Sequence, residues 1–303
     1  MKKILFFIFL IPCLANSQPV WNLKPVDFFK LPDGKSFGET VGLAIDSRQH
    51  VYVCHRGPDN LMEFDETGQF IRTIGGGLIK SPHGLNIDKD DNIWVVDVDQ
   101  HLVFRFNKKG QITLVLGKIN VAGEWFKSHN IPLFNRPADV AFDSDGNIYV
   151  ADGYVNSRVV KFDKDGNFIK SWGIKGSGNG EFNLVHNIVI DPKNTIYIVD
   201  RENKRIQLFN TDGEYLSQWS NIGSPYGLDI LKGRIIISDG ISGTISELDH
   251  TGKIIAQFGG SGKATAQMLM AHAIAISSDN KIFVASTINW RVECFIPATG
   301  GKK

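Results

Sequence analysis

Short apolar runs alternate with polar turns along the whole chain, and helical periodicity is almost absent. Six stretches follow one template. They begin near TVGLAID (40–46), SPHGLNID (81–88), RPADVAFD (136–143), LVHNIVID (184–191), SPYGLDIL (224–231) and MAHAIAIS (270–277). Each opens with an apolar strand, passes through a turn such as DKDDN or DSDGN, and continues into a β-rich run such as IWVVDV, IYVADG or IYIVDR. Third and fourth strands follow in most copies, as in VVKFDKDG and FIKSWG. Strands separated by Gly/Asp/Asn turns predict an all-β protein. Four strands in about forty to fifty residues, repeated six times, predict a six-bladed β-propeller. The sixth copy runs out after RVECF, so an N-terminal strand is expected to close the ring and cover two sheet edges. The segment VDFFKL (26–31) is read as that strand.

The repeat places side chains. His83, His186 and His272 occupy one position in copies two, four and six, and each stands fourteen residues before the end of the second strand (Asp97, Asp200, Ser286). The odd copies hold Val41, Ala138 and Tyr226 there. Alternate blades of a six-fold ring lie about 120° apart, and first strands line the central channel. Three imidazoles are therefore expected at one mouth. Three neutral imidazoles make a catalytic zinc set, which keeps a further position open. Residues just past the second strands, namely Arg56, Tyr154 and Arg201, should look over the histidines. Tyr154 is a candidate acid or base if nearby cations lower its pKa. The two arginines are candidates for holding a carboxylate. The remaining histidines (50, 55, 101, 129 and 250) show no such pattern and read as surface or loop residues. Arg158, Arg205 and Arg291 recur after Asn in the third strand, which reads as scaffold.

Two motifs read as turns rather than sites. The DxDxN segments lack the bidentate twelfth-position Glu of a calcium loop, and GIKGSGNGEF (173–182) opens no helix and makes a weak phosphate cradle. Lys+Arg 33 against Asp+Glu 32 leaves no basic field for nucleic acid. The start, MKKILFFIFLIPCLANSQ, has a charged end, an apolar stretch and small residues at Ala15 and Ser17. It reads as a secretory signal over residues 1–17, too short to span a membrane. Lipoprotein cleavage before Cys13 is disfavoured by Pro12. The expected organisation is thus a signal peptide (1–17), a propeller (20–297) and a short tail (298–303) in a secreted or periplasmic monomer. Cys54 and Cys294 remain, read as two buried free thiols rather than a disulfide.

The repeat resembles the NHL repeat. The set PHGL (82–85), DGYVNSR (152–158), VHNI (185–188), DRENKRIQ (200–207) and MAHAI (270–274) resembles the peptidyl-α-hydroxyglycine α-amidating lyase family over roughly residues 38 to 297. The resemblance implies His83, His186 and His272 as zinc ligands and Tyr154 as base. It implies Arg56 and Arg201 as active-site arginines, and Met270 lining the site. It also implies a structural calcium held by the carbonyls of Leu43 and Leu85 with one carboxylate. That carboxylate is replaced by Ala273, which weakens the calcium site and bears on activity. The family's paired cysteines are replaced as well, by Val155, Ile198 and Leu208. The implied reaction cleaves a peptide's C-terminal α-hydroxyglycine into an amide and glyoxylate. An alternative is a non-catalytic NHL propeller that binds a peptide, glycan or protein partner. A calcium-dependent propeller hydrolase fits less well, since histidines stand where several carboxylates and amides would be needed.

Overall fold

The computed structural model describes residues 21–123 and 132–298. The predicted signal segment, most of the tail and His129 lie outside the described residues. Six four-stranded antiparallel sheets form the six blades of a propeller. Blade one runs through Glu39–Ile45, Val51–Arg56, Leu61–Phe64 and Phe70–Thr73. The inner strands of the next five are Pro82–Ile87, Asp139–Phe142, Val185–Ile190, Pro225–Leu231 and Ala271–Ile276. The second strands are almost wholly buried runs, as in Ile93–Asp97, Ile148–Asp152 and Ile196–Asp200. Covered on both faces by adjacent blades, they lose the period-two alternation of a half-exposed strand. The outer strands keep it, as in Phe168–Trp172.

The ring closes as expected in kind but a few residues earlier than read from sequence. The closing strand is Leu23–Val26, paired antiparallel with Arg291–Pro297 as the outer strand of blade six. The segment read as that strand instead supplies a wedge. Phe28 packs edge-on against Phe283 at 4.9 Å and Phe29 against Phe64 at 4.8 Å, filling the seam between blades six and one. Both uses need apolar residues, so a hydrophobic run could not tell them apart.

The DxDxN segments are Asx turns: in Asp143–Asn147 one Asp143 oxygen accepts from the N–H groups of Asp145 and Asn147. In the glycine-rich segment Glu181 takes the Ser177 and Gly178 N–H groups, while the Ser177, Gly178 and Glu181 carbonyls accept from the Arg205 guanidinium. Its polar groups face a cation, the reverse of a phosphate cradle. Arg205 also pairs with buried Asp200 at 2.7 Å, and Arg158 with Asp152 at 2.9 Å. Cys54 and Cys294 are buried free thiols.

Candidate metal centre

Inner strands of a regular ladder would send alternate side chains to alternate faces. Here five of them carry a β-bulge at the mouth, between Thr40/Gly42, Pro82/Leu85, Val185/Asn187, Pro225/Gly227 and Ala271/Ile274. The bulge leaves His83, His186, His272, Val41 and Tyr226 without a cross-strand partner. Such an irregularity re-aims a side chain and frees backbone groups.

Both effects are used. Each even-blade imidazole approaches the carbonyl of the matching residue in the next blade. His83 Nδ1 lies 2.7 Å from the Ala138 oxygen, His186 Nδ1 2.8 Å from Tyr226, and His272 Nδ1 2.8 Å from Val41. A carbonyl only accepts, so each Nδ1 carries the proton and each Nε2 offers a lone pair. The three rings meet edge-to-face with centroids 4.7–4.8 Å apart, and their ligand atoms form one group within 4.8 Å. All three are buried. Burial pushes all three pKa values down, that of His272 to about 3, with the Arg201 charge adding to the effect on each and the Arg56 charge to that on His83 and His272. Neutral imidazoles, oriented by carbonyls behind them, are what a divalent metal requires. The Nε2 of His186 is buried with no hydrogen-bond partner, an orphaned acceptor that a metal would satisfy. The donor set fits zinc.

The expected overseers are only partly gathered. Tyr154 is: its hydroxyl donates to His83 Nε2 at 2.8 Å. The approach depends on Gly153, where a Cβ would stand 1.8 Å from the Val185 carbonyl oxygen. Arg201 is too, stacked 4.8 Å over the Tyr226 ring and 5.9 Å from that of Tyr154, and paired with Glu202 at 2.8 Å. Arg56 is more peripheral. It pairs with Glu39 at 3.1 Å and acts on Tyr154 and two of the histidines through its charge. Met270 adopts left-handed backbone (φ 57°) two residues before His272, and its carbonyl accepts from Thr287.

Cations do surround Tyr154, but burial outweighs them: its pKa moves up, against the opposing pull of Arg201, Arg56 and Arg136. Sequence reasoning missed Arg136, whose guanidinium lies 5.9 Å over the Tyr154 ring. It also missed Tyr226, whose ring is 5.2 Å from His186. Both stand in the repeat register, Tyr226 at the histidine position and Arg136 two places before it, but neither residue type recurs there in another copy, so no pattern flagged them. His55 is another correction. It is a buried strand residue, not a surface one, and its Nδ1 accepts from the Gly38 N–H at 2.9 Å.

Beyond the histidines a channel of about 290 Å³ runs along the inner strands, past Leu43 and Leu85. The expected calcium set fits less well than zinc. Position 273 brings a methyl group where a charged oxygen is needed, and calcium takes six to eight oxygen ligands. The channel's carboxylates, Asp139 and Asp229, are already engaged. Asp139 accepts from Asn187 and the Ile188 N–H, and Asp229 from the Ile230 and Ile276 N–H groups.

A family model described as a 6-bladed beta-propeller matches residues 132–220. The chain is 35% identical over 203 residues to the peptidyl-glycine alpha-amidating monooxygenase of Mus musculus, covering 56% of this chain and 20% of that protein. It thus spans about a fifth of such relatives. NHL repeat-containing protein 3 of Mus musculus is 33% identical, with 56% and 51% covered. Among solved structures, a streptogramin B lyase superposes with a TM-score of 0.65 at 13% identity, covering 92% of this chain and 99% of that one, a likeness of fold alone. A probable peptidyl-alpha-hydroxyglycine alpha-amidating lyase of Caenorhabditis elegans is 30% identical over 295 residues, with 83% of this chain and 80% of that protein covered. With a match of that extent, the chain belongs to the peptidyl-α-hydroxyglycine α-amidating lyase family.

Proposed function

We infer that the protein is a secreted or periplasmic zinc-dependent lyase that converts a peptide's C-terminal α-hydroxyglycine into the peptide amide and glyoxylate. The convergence of three carbonyl-oriented Nε2 donors beside a tyrosine hydroxyl carries the reading. Zinc held by His83, His186 and His272 would polarise the substrate hydroxyl as a Lewis acid. Tyr154, whose hydroxyl lies 2.8 Å from His83 Nε2, would take the hydroxyl proton. As the O–H bond breaks its electron pair forms the carbonyl, the Cα–N bond breaks, and a proton returns to the departing amide nitrogen. The step balances without water or a redox partner. Arg201, Arg136 and Arg56 supply positive charge for the glyoxylate carboxylate. Burial holds the Tyr154 pKa up, and a divalent charge on His83 would add to the arginines' downward pull.

Metal analysis of the purified protein beside His186→Ala tests the reading, together with glyoxylate release from α-hydroxyglycine peptides. One zinc per chain and turnover are expected in the wild type, with both lost in the variant. A zinc-loaded protein that releases no glyoxylate from several such peptides rejects it. That outcome would favour a second reading, a propeller that binds a peptide, glycan or protein partner without chemistry. Ala273 and the likeness to NHL repeat-containing protein 3 support this alternative.

A further inference from the structure

The histidine-bearing mouth carries an uneven collar. Among the described residues, the large apolar side chains more than half exposed lie, Leu216 and Ile174 excepted, on connections at this mouth. The hairpin turns at the opposite mouth carry none. Three belong to the loops between the second and third strands of blades five and six, which are ring neighbours: Ile241 is 68% exposed, Ile288 53% and Trp290 61%. Two are tied to the centre. Ile241 follows Gly240, where a Cβ would stand 2.5 Å from the Tyr226 ring. Ile288 donates its N–H to the Leu269 carbonyl, beside the bond from Thr287 to Met270.

The equivalent loops of blades two and four differ in kind. They hold Asp99, paired with Arg136 at 3.0 Å, and Glu202, paired with Arg201 at 2.8 Å. Blades five and six thus present three exposed apolar side chains in these loops and neither ion pair, while the equivalent loop of blade three presents one, Val155. Large apolar side chains exposed on neighbouring loops beside polar groups are suited to contacting a ligand.

The chemistry of an α-hydroxyglycine assigns the occupant. Its α-carbon bears three heavy substituents: a hydroxyl, a carboxylate and an acylamino group. The imidazoles suit the first and the arginines of blades one, three and four suit the second. Blades five and six remain for the third. We propose that Ile241, Ile288 and Trp290 form a specificity subsite for an apolar residue, branched aliphatic or aromatic, immediately preceding the hydroxyglycine. The proposal rests on the lyase reading above.

Binding can be measured apart from turnover, because glycine-extended peptides lack the hydroxyl and do not react. Calorimetry on the full zinc-loaded chain would compare N-acetyl-Phe-Gly with N-acetyl-Ser-Gly. Apolar pockets discriminate by about tenfold or more for a group of this size, so the Phe peptide should bind at least about tenfold tighter. The double variant Ile241→Ser/Ile288→Ser should bring the ratio close to one and leave the Ser peptide's affinity unchanged. Equal affinities in the wild type, no measurable binding of either peptide, or a preference that survives the substitutions overturns the subsite. The hydroxylated pair separates this proposal from its parent. Turnover without a Phe preference keeps the lyase and rejects the subsite. A Phe preference in binding without any turnover rejects the lyase and keeps an apolar recognition surface.

Discussion

A histidine serves a metal only when its second nitrogen is already occupied. In this chain the occupying groups are carbonyls of Val41, Ala138 and Tyr226. The sequence marks those three positions as the odd-copy equivalents of the histidines, so the convergence was legible from spacing. That the odd residues act through their backbone was not, because a bulge leaves no compositional trace. Arg136 and Tyr226 were missed for a related reason: each stands in the repeat register, but its residue type recurs in no other copy there. Tyr154 is the residue whose removal is most diagnostic. Tyr154→Phe should retain zinc and lower kcat by about 10²–10⁴, the usual worth of a positioned acid or base. Steady-state kinetics beside metal analysis checks this, and an unchanged kcat would remove Tyr154 from the chemistry.

Among the elements, the repeat dictates all six inner strands, and the structure returns them at the expected places. The closing strand is where pattern reading slipped. In Leu23–Val26 only Leu23 is buried, at 7% exposure, so a four-residue edge strand carries too little apolar signal to stand out. The phenylalanines downstream carry more, yet they wedge the seam rather than pair. The two placements make different predictions about stability. Leu23→Ala should cost about 2 kcal/mol or more by opening a cavity in the core cluster that includes Phe295 and Ile274. In a domain of this size each 1 kcal/mol lowers Tm by roughly 2–4 °C. Val26→Ala, at a 36% exposed side chain, should cost far less. Thermal melts of the two variants would show it, and equal losses would contradict the observed register.

For the whole molecule, the channel makes stability depend on pH. Burial raises the Asp139 pKa to about 7 and that of Asp229 to about 6. In the unfolded chain both would titrate near 4. Between about pH 4 and 7 the folded state therefore binds more protons than the unfolded one. These two groups then make stability fall as pH rises through that window. Urea midpoints of the wild type and of Asp139→Asn should differ in slope over this range, with the variant losing part of the decline; parallel curves would show that Asp139 is not buried as a neutral acid. The ring itself has a less obvious consequence. Because His83 reaches into blade three, His186 into blade five and His272 into blade one, the imidazole bonds join six blades into three couples. A cation gripped by all three imidazoles would lash those couples together like a keystone. Zinc affinity and ring closure should then be two readings of one quantity. Loosening a distant blade seam would weaken the metal, and removing the metal would loosen the seams.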